Sequence, residues 1–147
     1  MARTTFSGPV KSDNGFEGDI TGNVTGNVTG NVTGNVTGTI TGAVNQPAAT
    51  VAAAGANQGN AAALAAGFSY VTGADGAKGV KLPTAVAGAT VMIVNGAAQP
   101  LLVYPNTSDK INGGSANAAV TMENSTTMIA VALDATDWYT LVFTADA

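Results

Sequence analysis

Residues Ile20 to Ala43 read ITGN VTGN VTGN VTGN VTGT ITGA, six tetrads in unbroken phase. Nothing else in the chain limits its conformation so strongly. Ile or Val stands at positions 20, 24, 28, 32, 36 and 40, and Val44 extends the series. A period of four lies close to the helical period, but six glycines in 24 residues exclude a helix, each costing about 1 kcal/mol relative to alanine. The β-branched Val, Ile and Thr make poor helix as well. In an extended chain Val and Gly share one face and Thr and Asn the other. The apolar face then carries a gap at each glycine, where another backbone can come close. The spacing therefore predicts an extended β segment that needs a partner. Ile20, Val24, Val28, Val32, Val36, Ile40 and Val44 form its expected oligomerisation or docking face. A strand, a solenoid and an intertwined trimer all satisfy the pattern, and so does a flexible Gly/Thr/Asn linker. Strict phase over six units exceeds what a linker needs. The Asn-Val-Thr sequons at Asn23, Asn27, Asn31 and Asn35 follow from the repeat itself.

Composition points the same way. The chain has 147 residues, of which 46% are hydrophobic, 10% charged and 5% aromatic, with 19 glycines. Much of the apolar content is alanine and valine, which bury little area each, at roughly 25 cal/mol per Å². A lone copy would have a thin core, so burial between chains is the natural supplement. The net charge of −4 opposes a nucleic-acid partner, and the five basic residues, Arg3, Lys11, Lys78, Lys81 and Lys110, are scattered. No apolar run is long enough for a signal peptide or a membrane-spanning helix. A soluble chain made in the cytoplasm, without membrane partner, is the expectation.

Beyond the repeat, the chain alternates short apolar runs with turn signals. Expected strands are Phe68–Thr72, Gly79–Leu82, Thr90–Val94, Leu101–Tyr104, Ala118–Met122, Met128–Leu133 and Trp138–Phe143. A short helix over Ala61–Ala66, capped by Asn60 and closed by Gly67, fits locally. Asn95-Gly96 after a continuous apolar run is a hairpin signal. Turn clusters every 8 to 12 residues predict an antiparallel β-sandwich or barrel. The fold class expected is all-β: an N-terminal arm over 1–19, the extended repeat over 20–47, and a small sandwich-like domain over 48–147. Trp138, Tyr139 and Phe143 are expected to fill its core, with a polar handle at the edge.

The chemistry-bearing residues are few. Histidine and cysteine are absent, which removes the common general bases, thiol nucleophiles and transition-metal ligands. Asp13, Glu17 and Asp19 precede the repeat, and Asp134 and Asp137 share a turn, but neither group has the spacing of a calcium loop. Turn formation and solvation explain them. No catalytic, cofactor or metal residue is assigned, and the expectation is a protein that is not an enzyme.

Three stretches resemble structural proteins of tailed bacteriophages: Thr5-Phe6-Ser7-Gly8-Pro9-Val10-Lys11-Ser12-Asp13-Asn14-Gly15-Phe16; the ITGN/VTGN tract; and Gly79-Val80-Lys81-Leu82-Pro83 with Val91–Val94, Val103-Tyr104-Pro105 and Trp138-Tyr139. The opening is similar to small phage head proteins, the tract to repeats in fibres and capsid-associated proteins. The resemblance implies a head decoration (cement) protein on the outer capsid surface of the virion, a homotrimer whose partners are itself and the major capsid protein. It carries no ligand residues. A tail-fibre or adhesin component, with the repeat as shaft and the β domain as receptor-binding tip, is the alternative.

Overall fold

The computed structural model describes residues 37, 39–41, 43–65 and 67–144, and the chain divides after Ile40. The arm over 1–19 and the repeat up to Val36 lie outside the described residues. The second unit is all-β. Its described residues form ten strands: β1 (Ala48–Ala52), β2 (Ala62–Ala63), β3 (Gly67–Thr72), β4 (Gly79–Lys81), β5 (Thr90–Asn95), β6 (Leu101–Tyr104), β7 (Lys110–Ile111), β8 (Val120–Met122), β9 (Thr126–Ala132) and β10 (Asp137–Thr144).

The strands form a six-stranded sheet of order β1-β3-β5-β9-β10-β7 and a four-stranded sheet of order β2-β4-β6-β8. From β1 to β6 the chain alternates between the two sheets. Each return lays a strand parallel to its predecessor: Ala48 beside Phe68 and Gly67 beside Val91 in the large sheet, Ala62 beside Val80 and Gly79 beside Leu102 in the small one. A parallel pair needs a crossover, and here the crossover is a strand of the opposite sheet. The result is a short stack of solenoid-like coils. β8 and β9 then run antiparallel to β6 and β5, β10 runs antiparallel to β9, and β7 lies parallel to the start of β10.

This corrects the expected antiparallel sandwich or barrel. The turn signals are real, but most mark corners between sheets. Asn95-Gly96 does not close a hairpin, because β5 and β6 belong to different sheets. At that corner the fully buried Asn95 donates its side-chain Nδ2 to the carbonyls of Gln99, Met122 and Glu123, while its Oδ1 accepts from Ala97 N at 3.1 Å. Between β3 and β4, Gly73 and Gly76 take φ of 71° and 86°, a region that favours glycine. Asp75 Oδ1 caps that turn by accepting from Ala77 N and Lys78 N at 3.0 and 2.9 Å.

The helix expected over Ala61–Ala66 is also corrected. Ala62 and Ala63 pair with Val80 and Lys81, and Leu64 N donates to Lys81 O at 2.8 Å. A helix this short is marginal even in alanine, so long-range strand pairing wins. Coils come close at Gly79, where an added Cβ would lie 2.7 Å from both Leu102 O and the Tyr104 ring. Inward-facing residues of both sheets meet in one cluster: Val71, Val91, Ile93, Met128 and Trp138 from the large sheet, Val80, Leu101, Val103 and Met122 from the small one.

Candidate assembly face

Alternation along each strand divides the large sheet into two faces. Val71, Val91, Ile93, Met128, Ala130 and Trp138 point into the core. Their neighbours point away from it and line up across the strands. Phe68, Met92, Ile129 and Leu141 form one row in register. Tyr70, Val94, Thr127 and Phe143 form the next. Thr90, Val131 and Tyr139 form a third. The outside of the large sheet is therefore apolar and aromatic, where an antiparallel sheet with one wet face would be polar.

This face carries almost no charge. Among the described strand residues its only ionisable carboxylate and ammonium are Asp137 and Lys110, at one end, and they pair at 3.2 Å. Asp75 and Lys78 pair at 3.1 Å in a corner, and Asp134 sits in the turn before β10. Asp134 Oδ1 accepts from Thr136 N and Asp137 N, and these bonds hold its carboxyl below the usual range. Asp134 and Asp137 thus serve the turn and an ion pair. Among the described residues no three carboxylates gather to hold a metal, and no pocket opens.

The face ends at an open strand edge. Among the described residues, β7 pairs only with Asp137 and Trp138. Beyond it, Asn112 and Gly113 take φ of 53° and 70° and turn the chain away. Asn112 covers one more residue: its Oδ1 accepts from Thr140 N at 2.9 Å and its Nδ2 donates to Thr140 Oγ1 at 2.8 Å. Among the described residues, Leu141 to Thr144 have no neighbour strand on that side. Leu141 is 58% exposed and Phe143 51%, large values for such side chains in a strand. Natural edges are usually blunted by charge, proline or a bulge, and Leu-Val-Phe-Thr contains neither charge nor proline.

Of the residues expected to form a docking face, Ile40 and Val44 are described and exposed, at 59% and 66%. Ile20, Val24, Val28, Val32 and Val36 lie outside the described residues. Trp138 is fully buried, as expected of a core aromatic, but its Nε1 has no hydrogen-bond partner among the described residues. Tyr139 and Phe143 do not fill the core; they stand on the outer face. That face was missed by sequence reasoning, although a signal exists. Thr-Val-Met-Ile-Val of β5 and Leu-Val-Phe of β10 are apolar at successive positions, the mark of a strand covered on both sides. Comparison of the chain with protein-family models, curated proteins and solved structures gives no match.

Proposed function

We propose that this chain is a non-catalytic structural protein of a virus particle, a homotrimeric decoration protein that binds the outer capsid shell and stabilises the mature head. One structural observation supports an assembly role above others: a broad, nearly uncharged apolar sheet face with an open edge. Contiguous apolar surface of several hundred Å² is uncommon on proteins that work alone. The repeat, with its one-valine-in-four face, supplies a second surface in need of a partner. The assignment to a phage head rests on the resemblance of residues 5–16, the tract and the C-terminal stretches. Binding only to the assembled shell would stabilise that shell by mass action.

The test is binding of the purified full-length chain to shells stripped of it. Saturable binding to mature shells, with a raised temperature of genome release, is the expected result. Location of the chain solely on the tail, by cryo-electron microscopy of intact virions, would overturn it. That second outcome favours a tail-fibre component, a reading supported by the stacked coils, since coils stacked along an axis suit a shaft.

A further inference from the structure

We infer that the free edge of β10 is a contact between two copies of this chain, paired antiparallel about a twofold axis at Phe143. The inference concerns a surface separate from the repeat and does not depend on the virion assignment.

The argument starts from which backbone groups are free. Trp138 O accepts from Asn112 N, and Thr140 N donates to the Asn112 side chain, so even-numbered residues of β10 direct their backbone groups away from β9. Asp137 O accepts from Leu133 N, so odd-numbered residues bond towards β9. Alternation carries this pattern forward. Val142 and Thr144 thus present N–H and C=O groups to the open side, while Leu141 and Phe143 are engaged with β9.

Such an edge is complementary to itself. With the axis at Phe143, Val142 of each copy faces Thr144 of the other, and each facing pair exchanges two backbone bonds. Phe143 meets its own counterpart as a non-hydrogen-bonded pair, where Cα atoms approach to about 4.5 Å and side chains touch. The Asn112 clamp on Thr140 stays in place, because Thr140 lies outside the paired segment. Pairing at this register also joins the row Tyr70, Val94, Thr127, Phe143 to its symmetry mate, so the row continues where it would otherwise end in water.

Charge selects the occupant. Each copy has a net charge of −4, so another copy is accepted most readily where the contact holds no carboxylate. Tyr139 to Thr144 contain none; of the two carboxylates that flank them in sequence, Asp137 is paired with Lys110 and Asp146 lies two residues past Thr144. An isologous contact is also the commonest symmetry for identical chains.

The chain lacks cysteine, so single-cysteine variants of the full-length protein read the register directly. Phe143→Cys places two thiols at a separation that a disulfide accepts. Leu141→Cys leaves them about 14 Å apart along the strands, at ~3.4 Å per residue. The expected result under mild oxidation is disulfide-linked dimer from Phe143→Cys at least about tenfold faster than from Leu141→Cys. Val142→Pro removes an outward N–H without touching the ladder to β9, so adding it to Phe143→Cys should reduce cross-linking to the Leu141→Cys rate. Equal rates for the two cysteine variants would overturn the inference, whether Val142→Pro folds or not. So would a Phe143→Cys rate unchanged by Val142→Pro in a protein that keeps its far-ultraviolet spectrum.

Discussion

The phenol ring of Tyr70 lies against the backbone of Gly96, so close that a Cβ on residue 96 would overlap the ring. Tyr70 belongs to β3 and Gly96 to the corner after β5, and Gly96 N donates to Val71 O at 2.8 Å. One coil thereby covers the glycine of the next. The crowded atoms are the far end of a half-exposed side chain, so the ring can swing away. Gly96→Ala is expected to cost about 1 kcal/mol, largely the lost ring contact. Combined with Tyr70→Ala it should cost much less than the sum, a coupling that urea denaturation of the four proteins in a double-mutant cycle measures.

Asn95 holds three carbonyls with one amide group. Replacing it by Ala leaves buried carbonyls without a donor, and a loss of about 2–4 kcal/mol is expected. Asn95→Asp is more informative. A carboxylate there faces acceptors where the amide nitrogen was, so burial and those dipoles should raise its pKa above the unfolded value. The protonated acid can still donate. Stability of this variant should therefore be greatest at low pH and fall as pH rises through the raised pKa, opposite to the wild-type trend. Thermal unfolding of Asn95→Asp between pH 4 and 8 that ran parallel to wild type would contradict this account.

For the wild-type chain the acid limb has a different origin. The backbone N–H of Lys78, then that of Ala77 and the Lys78 ammonium, lower the Asp75 carboxyl from its ordinary 3.8 to about 2. The N–H groups of Thr136 and Asp137 lower Asp134 in the same direction. A depressed folded pKa means stability present above the unfolded value and lost as pH falls through the folded one. Melting temperature should thus decline as pH falls from about 4 towards 2. Asp75→Asn, which keeps one acceptor oxygen for the turn, should make that decline shallower, and calorimetry across this window checks it.

Trp138 is fully enclosed, and its indole N–H has no partner among the described residues. An unpartnered buried donor costs about 1–3 kcal/mol, so Trp138→Phe removes a penalty while leaving a smaller side chain. The two effects oppose each other, and a change within about 1.5 kcal/mol is expected. Trp138→Ala, which only opens a cavity, should cost about 3–5 kcal/mol. Near-equal losses from both substitutions, by chemical denaturation, would show that the N–H finds a partner in solution.

The sequence made individual strands legible and their arrangement much less so. Leu101–Tyr104 is found at its expected limits, and Thr90–Val94 extends by one residue to Asn95. Both are dense in β-branched or bulky apolar residues that have no local alternative. β1 and β2 went unread because Ala48–Ala52 and Ala62–Ala63 carry little strand propensity of their own. Their conformation comes from Phe68–Thr72 and Val80–Lys81, about 20 residues downstream. Asn95-Gly96 was read as a hairpin because a corner and a hairpin use the same residues; the partner decides, and it lies beyond any local window. The outer face eluded the reading for a related reason. Only the register of four strands puts Phe68, Met92, Ile129 and Leu141 in one line.

The reversal of direction at β9 gives the stack a polarity of growth. A further coil inserted after β6 would have to displace β8 and β9, which already occupy the neighbouring positions beside β6 and β5. A coil inserted ahead of β1 meets no such obstacle, since among the described strands β1 pairs with β3 alone. Duplication of coil-length segments can therefore lengthen this body from its N-terminal side while the closing strands, the Asn112 clamp and the β10 edge stay unchanged. Relatives that differ in size should carry their extra residues upstream of Ala48.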